Sequence, residues 1–193
     1  KQLNYRLRVV WPGGVQETDD SYRFPTVLGE LDVWLLAEGS HLRPFERLGA
    51  HLREIDGVKG TAFAVWAPDA QRVSVIGDFN TWDGRRHPMR LRRECGVWEI
   101  FIPGVQAGAT YKFEIRSRYG QVLPHKADPY GFAAELRPST ASIVCEPPQT
   151  TSRRAAVAGS RLNTQVSIYE VHLGSWQRGE NGGFLDWQEL TRR

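Results

Sequence analysis

Cysteine is nearly missing from this chain, with only Cys95 and Cys145 among 193 residues. Their spacing fits no zinc site, and so few thiols exclude a secreted disulfide scaffold. Reduced thiols in a cytoplasmic protein are therefore expected. No apolar run approaches the ~18 residues that a membrane helix needs, and no leader pattern opens the chain. Lys1-Gln2-Leu3-Asn4-Tyr5-Arg6 passes straight into alternating residues, and an initiator Met is lacking. A piece cut from a longer protein is therefore expected. Charge of one sign is not in large excess, since 25 Lys and Arg face 22 Asp and Glu for a net +3. The arginines (Arg6, Arg8, Arg72, Arg85, Arg86, Arg92, Arg93, Arg116, Arg118) are scattered. That distribution gives solvated faces rather than the concentrated patch of a nucleic-acid binder. With 40% hydrophobic and 24% charged residues, the composition is that of a folded globular chain of one or two domains.

What the chain does have is β-type patterning, centred on TAFAVWAPDAQRVSVIGDFNTWDGRRHPM, Thr61 to Met89. Thr61–Trp66 and Arg72–Ile76 are rich in Val, Phe, Trp and Ile, and Pro68-Asp69-Ala70 separates them. Two such runs read as neighbouring antiparallel strands. After them Trp82 stands among Asn80, Thr81, Asp83 and Gly84, a polar setting with few apolar neighbours to bury an indole. An exposed ring beside amide and carboxylate groups suits a sugar, which has one apolar face and hydroxyls at its edge. The alternative is a plug folded back over the end of a sandwich.

The stretch FAVWAPDAQRVSVIGDFNTWDGRRHPM resembles the carbohydrate-binding module that precedes the barrel in glycogen branching enzymes of the α-amylase superfamily. Other segments carry the same resemblance. Asp19-Asp20-Ser21-Tyr22-Arg23-Phe24 is similar to the end of an extra N-terminal β module, WLLAEGSHLRPFERLGAH to the segment joining the two N-terminal modules, and HKADPYGF to a loop of the family. Val166-Ser167-Ile168-Tyr169-Glu170-Val171-His172-Leu173-Gly174-Ser175-Trp176 resembles the first strand of the catalytic barrel.

Taken in order, Tyr5–Trp11 alternates apolar and basic residues and Pro12-Gly13-Gly14 turns it into Val15–Thr18, a hairpin that is marginal alone. Residues 1–24 therefore read as the last hairpin of a truncated β module, and 25–49 as a connection. The connection contains a helix over 26–38, with Leu28, Leu31, Trp34 and Leu35 at helical spacing and Gly39 as its stop. Val97–Ile102, Thr110–Arg116, Val122-Leu123 and Ala141–Cys145 follow as further β runs with turn signals between them. The expected fold is mainly β, with an immunoglobulin-like sandwich over 50–146. Trp98, alternating with Ile100 and Ile102, belongs to its core, whereas Lys112 points outward. Pro147 to Asn163 is rich in Pro, Ser, Thr, Arg and Ala, giving a linker over 147–165. Residues 166–193 then hold one strand and the first turns of a helix near Leu185–Leu190, the start of a truncated (β/α)8 barrel.

The chemistry implied by the resemblance is retaining glycosyl transfer. An α-1,4 link is cleaved to a glycosyl-enzyme and the 6-hydroxyl of another chain attacks it, with a Glu switching from acid to base. No metal or organic cofactor is needed. A full barrel takes roughly 250 residues with catalytic groups on several strands, so this chain is expected to hold no catalytic residue. Glu170 and His172 share a strand face without a second carboxylate, and an acid/base role for them is disfavoured. His41 and His51 read as packing or surface histidines, with no metal partner at ligand spacing. By resemblance Trp82, Lys112 and Tyr119 line a sugar site, with Asn80 beside them. Tyr119 stands where a second Trp is common, and solvated roles for Lys112 and Tyr119 remain open. The expected partner is α-glucan (glycogen or malto-oligosaccharide), not nucleic acid or membrane, and the parent is expected to be a monomer. A debranching hydrolase and a non-enzymatic glucan-binding scaffold are the other function classes.

Overall fold

A computed structural model describes residues 5–147 and 170–192, which fall in two units, Lys1–Gln149 and Thr150–Arg193. The first unit opens with β1 (Leu7–Trp11) and β2 (Gly14–Thr18), paired from Leu7↔Thr18 to Trp11↔Gly14 across Pro12-Gly13. A single 3-10 turn, Ser21–Arg23, leads to α1 (Glu30–Glu38), which Gly39 closes at φ 75. Then come β3 (Gly49–Ile55), β4 (Val58–Trp66), β5 (Ala70–Gly77), β6 (Arg90–Arg92), β7 (Val97–Pro103) and β8 (Thr110–Ser117). Two short strands, β9 (Ala133–Ala134) and β10 (Ser142–Ile143), complete the set.

These strands form two four-stranded antiparallel sheets, β3-β4-β7-β6 and β5-β8-β10-β9, the immunoglobulin-like sandwich the patterning foretells. Period-two alternation supplies the filling between them. Phe63 and Val65 of β4 and Trp98, Ile100 and Ile102 of β7 meet Val73 and Val75 of β5 and Tyr111 and Phe113 of β8.

One expectation fails here. Thr61–Trp66 and Arg72–Ile76 are not neighbouring strands: β4 pairs with β3 and β7, whereas β5 pairs with β8. Both runs are apolar because they face each other across the core, and Ala67–Asp69 carries the chain from one sheet to the other. The Ala67 carbonyl accepts Nε1–H of buried Trp98 at 3.0 Å and the Ala70 amide at 3.1 Å, which fixes that crossing.

The outer face of β3-β4-β7-β6 is covered as well. Phe24 packs edge-on against Phe101 with ring centroids 4.7 Å apart, and Leu28 and Val33 pack with Ala64 and Val97. The helix begins at Glu30 and not at residue 26, so Leu28 packs from the segment before it; from the helix Val33 is buried and Leu36 partly so, while Leu31 and Trp34 of the expected stripe are 67% and 56% exposed. The docked face is thus the one carrying Val33 and Leu36, not the one carrying Leu31 and Trp34.

That docking has a charged centre. Glu99, 1% exposed in β7, accepts the amides of Val27 and Leu28 through one oxygen at 2.7 and 2.8 Å and Arg92 Nη1 through the other at 3.3 Å. Arg92 also donates to the Leu28 carbonyl and to Glu30. Two backbone donors and a guanidinium make the buried carboxylate tolerable.

Between β5 and β6, residues 78–89 fold back along β5. The Val75 amide donates to the His87 carbonyl at 3.1 Å and the Met89 amide to the Val73 carbonyl at 2.8 Å. Asn80, 1% exposed, pins the turn: its Oδ1 accepts the Gly77 amide, and its Nδ2 donates to the Val75 carbonyl and to His87 Nδ1, each at 2.9 Å. With both amide hydrogens directed to acceptors, His87 Nδ1 is the unprotonated nitrogen. Burial, helped by Arg86, pushes the His87 pKa down to about 4.

In the second unit, α2 (Leu173–Trp176) and α3 (Trp187–Arg192) flank a bridge between Arg178 and Phe184. The expected helix near Leu185–Leu190 is present as α3. Of the expected strand Val166–His172, residues 166–169 lie outside the described residues, and Glu170–His172 are not in a strand. No described residue pairs with them to make a ladder. The expected linker, apart from Pro147, also lies outside the described residues.

Two stability outcomes follow. Glu99→Ala leaves Arg92 and two buried amides without their acceptor and should cost about 3–5 kcal/mol, read by urea unfolding. Glu99→Gln, which keeps one oxygen, should cost less. For His87, the folded pKa lies below the unfolded value of about 6.5. Its contribution is complete above pH 6.5 and is lost as pH falls toward about 4. His87→Gln should flatten this part of a thermal-melt pH profile, and an unchanged profile would show that His87 does not set it.

Candidate functional site

Trp82 follows directly from the pinned turn. Thr81 and Trp82 both take left-handed backbone, φ 57 and 58. For a β-branched residue followed by a bulky one this is an uncommon conformation, costing of order 1–3 kcal/mol each. It is sustained by the bond from the Trp82 amide to the Gly77 carbonyl at 2.9 Å and by the Asn80 network. The indole is 39% exposed, against 7% for Trp98. It is not a core plug.

Beyond Trp82 the loop passes close to Glu114 of β8: a Cβ on Gly84 would sit 2.3–2.7 Å from the Glu114 carboxylate. Asp83 grips Arg85 with both carboxylate oxygens, Nε to Oδ1 at 2.9 Å and Nη2 to Oδ2 at 2.8 Å, and also accepts the Arg85 amide. The Arg85 bonds hold the Asp83 carboxyl well below the usual carboxylate range.

Lys112 shares this end of the sheet. Its register partner is Ile76, one residue before the Gly77 that holds Trp82. Nζ donates to Thr140 Oγ1 at 2.7 Å, which uses one of its three hydrogens. Two residues along the same face, Glu114 binds Arg72 at 2.6 Å and lies 3.9 Å from His125 Nε2. The result is an outward indole, a tethered ammonium and a belt of fixed polar groups. Such an arrangement can stack a pyranose ring and donate to its hydroxyls.

The other two sequence candidates separate from this pair. Asn80 is fully buried with both side-chain groups internally bonded, so it positions Trp82 and does not face solvent. Tyr119 lies at the opposite end of the sheet. β8 runs on to Ser117, paired with Ala70 at the far end of β5, and the turn closes with the Gly120 amide on the Ser117 carbonyl at 2.9 Å. Lys112 and Ser117 are thus about 16 Å apart at ~3.3 Å per residue. Seven residues along the sequence reach the Lys112 face only across a shorter hairpin. Here the return strand brings Lys126 opposite Phe113 and sets His125 against Glu114. His125 and Thr140 were missed in the sequence. The uninterrupted alternation up to Arg116 signals the long hairpin that separates Tyr119 from Lys112, but nothing in the sequence signals Thr140.

Other candidates have structural roles. Asp128 is buried and accepts the Tyr111 hydroxyl at 2.6 Å and the Tyr130 amide at 2.8 Å, while its own amide donates to Ser142 Oγ. Burial pushes the Asp128 carboxyl up and, with the neighbouring carboxylate, the Tyr111 phenol far up, so both stay protonated more readily than free side chains. His51 is buried and bonded to the Leu48 carbonyl, and burial lowers its pKa. His41 lies 3.2 Å from Asp32, which also binds Arg47. In the second unit Glu170 is exposed and His172 Nδ1 meets Ser175 Oγ at 2.8 Å at the start of α2. Among the described residues no group of three or more His, Cys, Asp or Glu is placed to hold a metal, and no helix is long and apolar enough to cross a membrane.

The chain is similar to part of several much longer solved structures. For pullulanase from Bacillus acidopullulyticus the identity is 21% over 51% of this chain and 12% of that one, TM-score 0.41. For ligand-free PulA from Klebsiella pneumoniae it is 23% over 60% and 10%, TM-score 0.43. For pullulanase type I from Bacillus subtilis str. 168 complexed with maltose it is 26% over 54% and 14%, TM-score 0.42. The chain thus spans only a small part of the length of those proteins. As a family match, residues 47–131, from just before β3 through the loop after Asp128, fit carbohydrate-binding module 48 (isoamylase N-terminal domain).

Proposed function

We propose that the sandwich binds α-glucan through Trp82 and Lys112, as the non-catalytic N-terminal part of a cytoplasmic 1,4-alpha-glucan branching enzyme. The observation that carries the binding role is Trp82 itself. A bulky residue held at φ 58 with 39% of its surface open is an arrangement a protein maintains at some cost. Stacking on the apolar face of glucose uses that exposed ring, and the Lys112 ammonium, anchored by Thr140, donates to hydroxyls at the ring edge. Binding glycogen or malto-oligosaccharide needs no metal or cofactor.

The wider assignment rests on the sequence from Tyr169 to Trp176, YEVHLGSW, and on the hairpin before the module. In this reading the parent cleaves α-1,4 links and re-attaches the chain as an α-1,6 branch, and the reacting carboxylates belong to barrel strands outside this chain. A debranching hydrolase is the second reading, favoured by the isoamylase domain in the description of the matched module. Incubating the full-length protein with amylose decides between them. New α-1,6 links support branching, whereas release of linear chains from glycogen supports debranching. The 193-residue chain alone should do neither.

For the binding role, Trp82→Ala should weaken maltoheptaose binding at the Trp82–Lys112 site roughly thirtyfold, the ~2 kcal/mol of a lost stacking anchor. Its unfolding free energy should change by less than about 1 kcal/mol. Trp98→Ala, emptying a core position, should cost about 3–5 kcal/mol of stability. Urea unfolding and calorimetric titration of both variants check this. A Trp82→Ala chain that is unstable but binds normally when folded would overturn the sugar role.

A further inference from the structure

The displacement of Tyr119 from Lys112 leaves an exposed ring without a role, and it does not stand alone. Trp66, the last residue of β4, is 61% exposed and Tyr119 is 76% exposed, and both line one groove of about 410 Å³. Half-buried Ile115 and Leu123 add apolar lining, and the exposed side chains of Asp69 and Arg118 add polar lining. Arg118 Nη1 lies 3.9 Å from Asp69 Oδ1, and its Cζ sits 5.1 Å from the centre of the Tyr119 ring. One carboxylate and one guanidinium give acceptors and donors with no net charge between them. Gly96, at φ +71, leaves space that a Cβ would take from Pro68 at 2.8 Å and from Trp66 Nε1 at 3.4 Å.

We propose that this groove is a second sugar site, binding a short neutral α-glucan between Trp66 and Tyr119 at the opposite end of the β5–β8 pair from Trp82. The volume lies within the range of small-ligand sites, about 300–1,000 Å³. The paired charges suit hydroxyls better than an anionic or cationic ligand. Every lining residue falls inside the 47–131 segment that matches the carbohydrate-binding module. The proposal rests on the reading of that segment as glucan-binding, but on none of the residues of the Trp82 site.

The test is a titration of the ¹⁵N-labelled chain with maltoheptaose, following the indole N–H signals of Trp66 and Trp82, assigned through Trp66→Phe and Trp82→Phe. The Trp66 indole and the amides of Asp69 and Tyr119 should shift, and should do so equally in Trp82→Ala. Tyr119→Ala should weaken the Trp66 response at least tenfold and leave the Trp82 response unchanged, while Tyr119→Phe should keep both. Because Tyr119 is exposed in a turn, retained amide dispersion will confirm folding of both variants. A moving Trp82 with a silent Trp66 overturns the second site alone. A moving Trp66 with a silent Trp82 supports it and overturns the first. Silence at both overturns the glucan reading of the module.

Discussion

The layer that covers the outer face of β3-β4-β7-β6 depends on one buried carboxylate. Glu99 lies on the central strand β7, on the face turned away from the inter-sheet core, where it would be costly without partners. The amides of Val27 and Leu28 and the Arg92 guanidinium supply those partners. Because two of the three come from the segment before α1, the charge is satisfied only when that segment is docked. Docking then brings Leu28 and Val33 onto Ala64 and Val97, and Phe24 onto Phe101. A stretch that reads as a connection from its sequence becomes a second layer, and β7 is buried on both faces. A buried ion pair of this kind adds less to net stability than its geometry suggests, and removing one partner costs more. Its effect here is to set where the preceding chain sits.

Much of this architecture is legible in the sequence, and the missing parts have definite causes. Alternation marks the strands because burying one face is a local property of each run. Pairing is not local. Thr61–Trp66 and Arg72–Ile76 look like two arms of a hairpin, yet Pro68 and the Trp98-to-Ala67 bond turn that connection into a crossing between sheets. Glu99 was hidden for a related reason. Between Trp98 and Ile100 it occupies an outward position, and outward positions of a sheet are polar unless another layer covers them. The helix stripe misled in the same way, since the docked face is chosen by Glu99 and not by Leu31 and Trp34.

The candidate site divides along the same line. Trp82 was visible because an indole among Asn, Thr, Asp and Gly has no local core to join. The role of Asn80 was not, because an amide in a turn serves equally as ligand or as internal brace, and only burial distinguishes them. The resemblance joins Tyr119 to Lys112 only across a short hairpin. The strand continues to Ser117, so Tyr119 lies at the far end of the sheet. What holds Lys112 in place, Thr140, comes from just before β10 and is 28 positions away in sequence.

The rigidity of the Trp82 loop has a consequence for binding. Stacking on a sugar gains little per ring, and a loop that had to order on binding would spend much of that gain. Here the ordering is completed on folding. Asn80 fixes the turn, Asp83 locks Arg85, and Gly84 lets the loop pass close to Glu114. The left-handed backbone at Thr81 and Trp82 is the residual strain of that arrangement, offset by the same buried hydrogen bonds. A single such ring still supports only modest affinity. A polymer offers many identical residues, so the proposed second groove would act through raised local concentration rather than through tighter contact. Separation along the β5–β8 pair is therefore no obstacle to a shared glucan chain, provided the chain reaches across it. In the proposed role, a preorganised surface of this kind would bind a long glucan without the cost of ordering the loop.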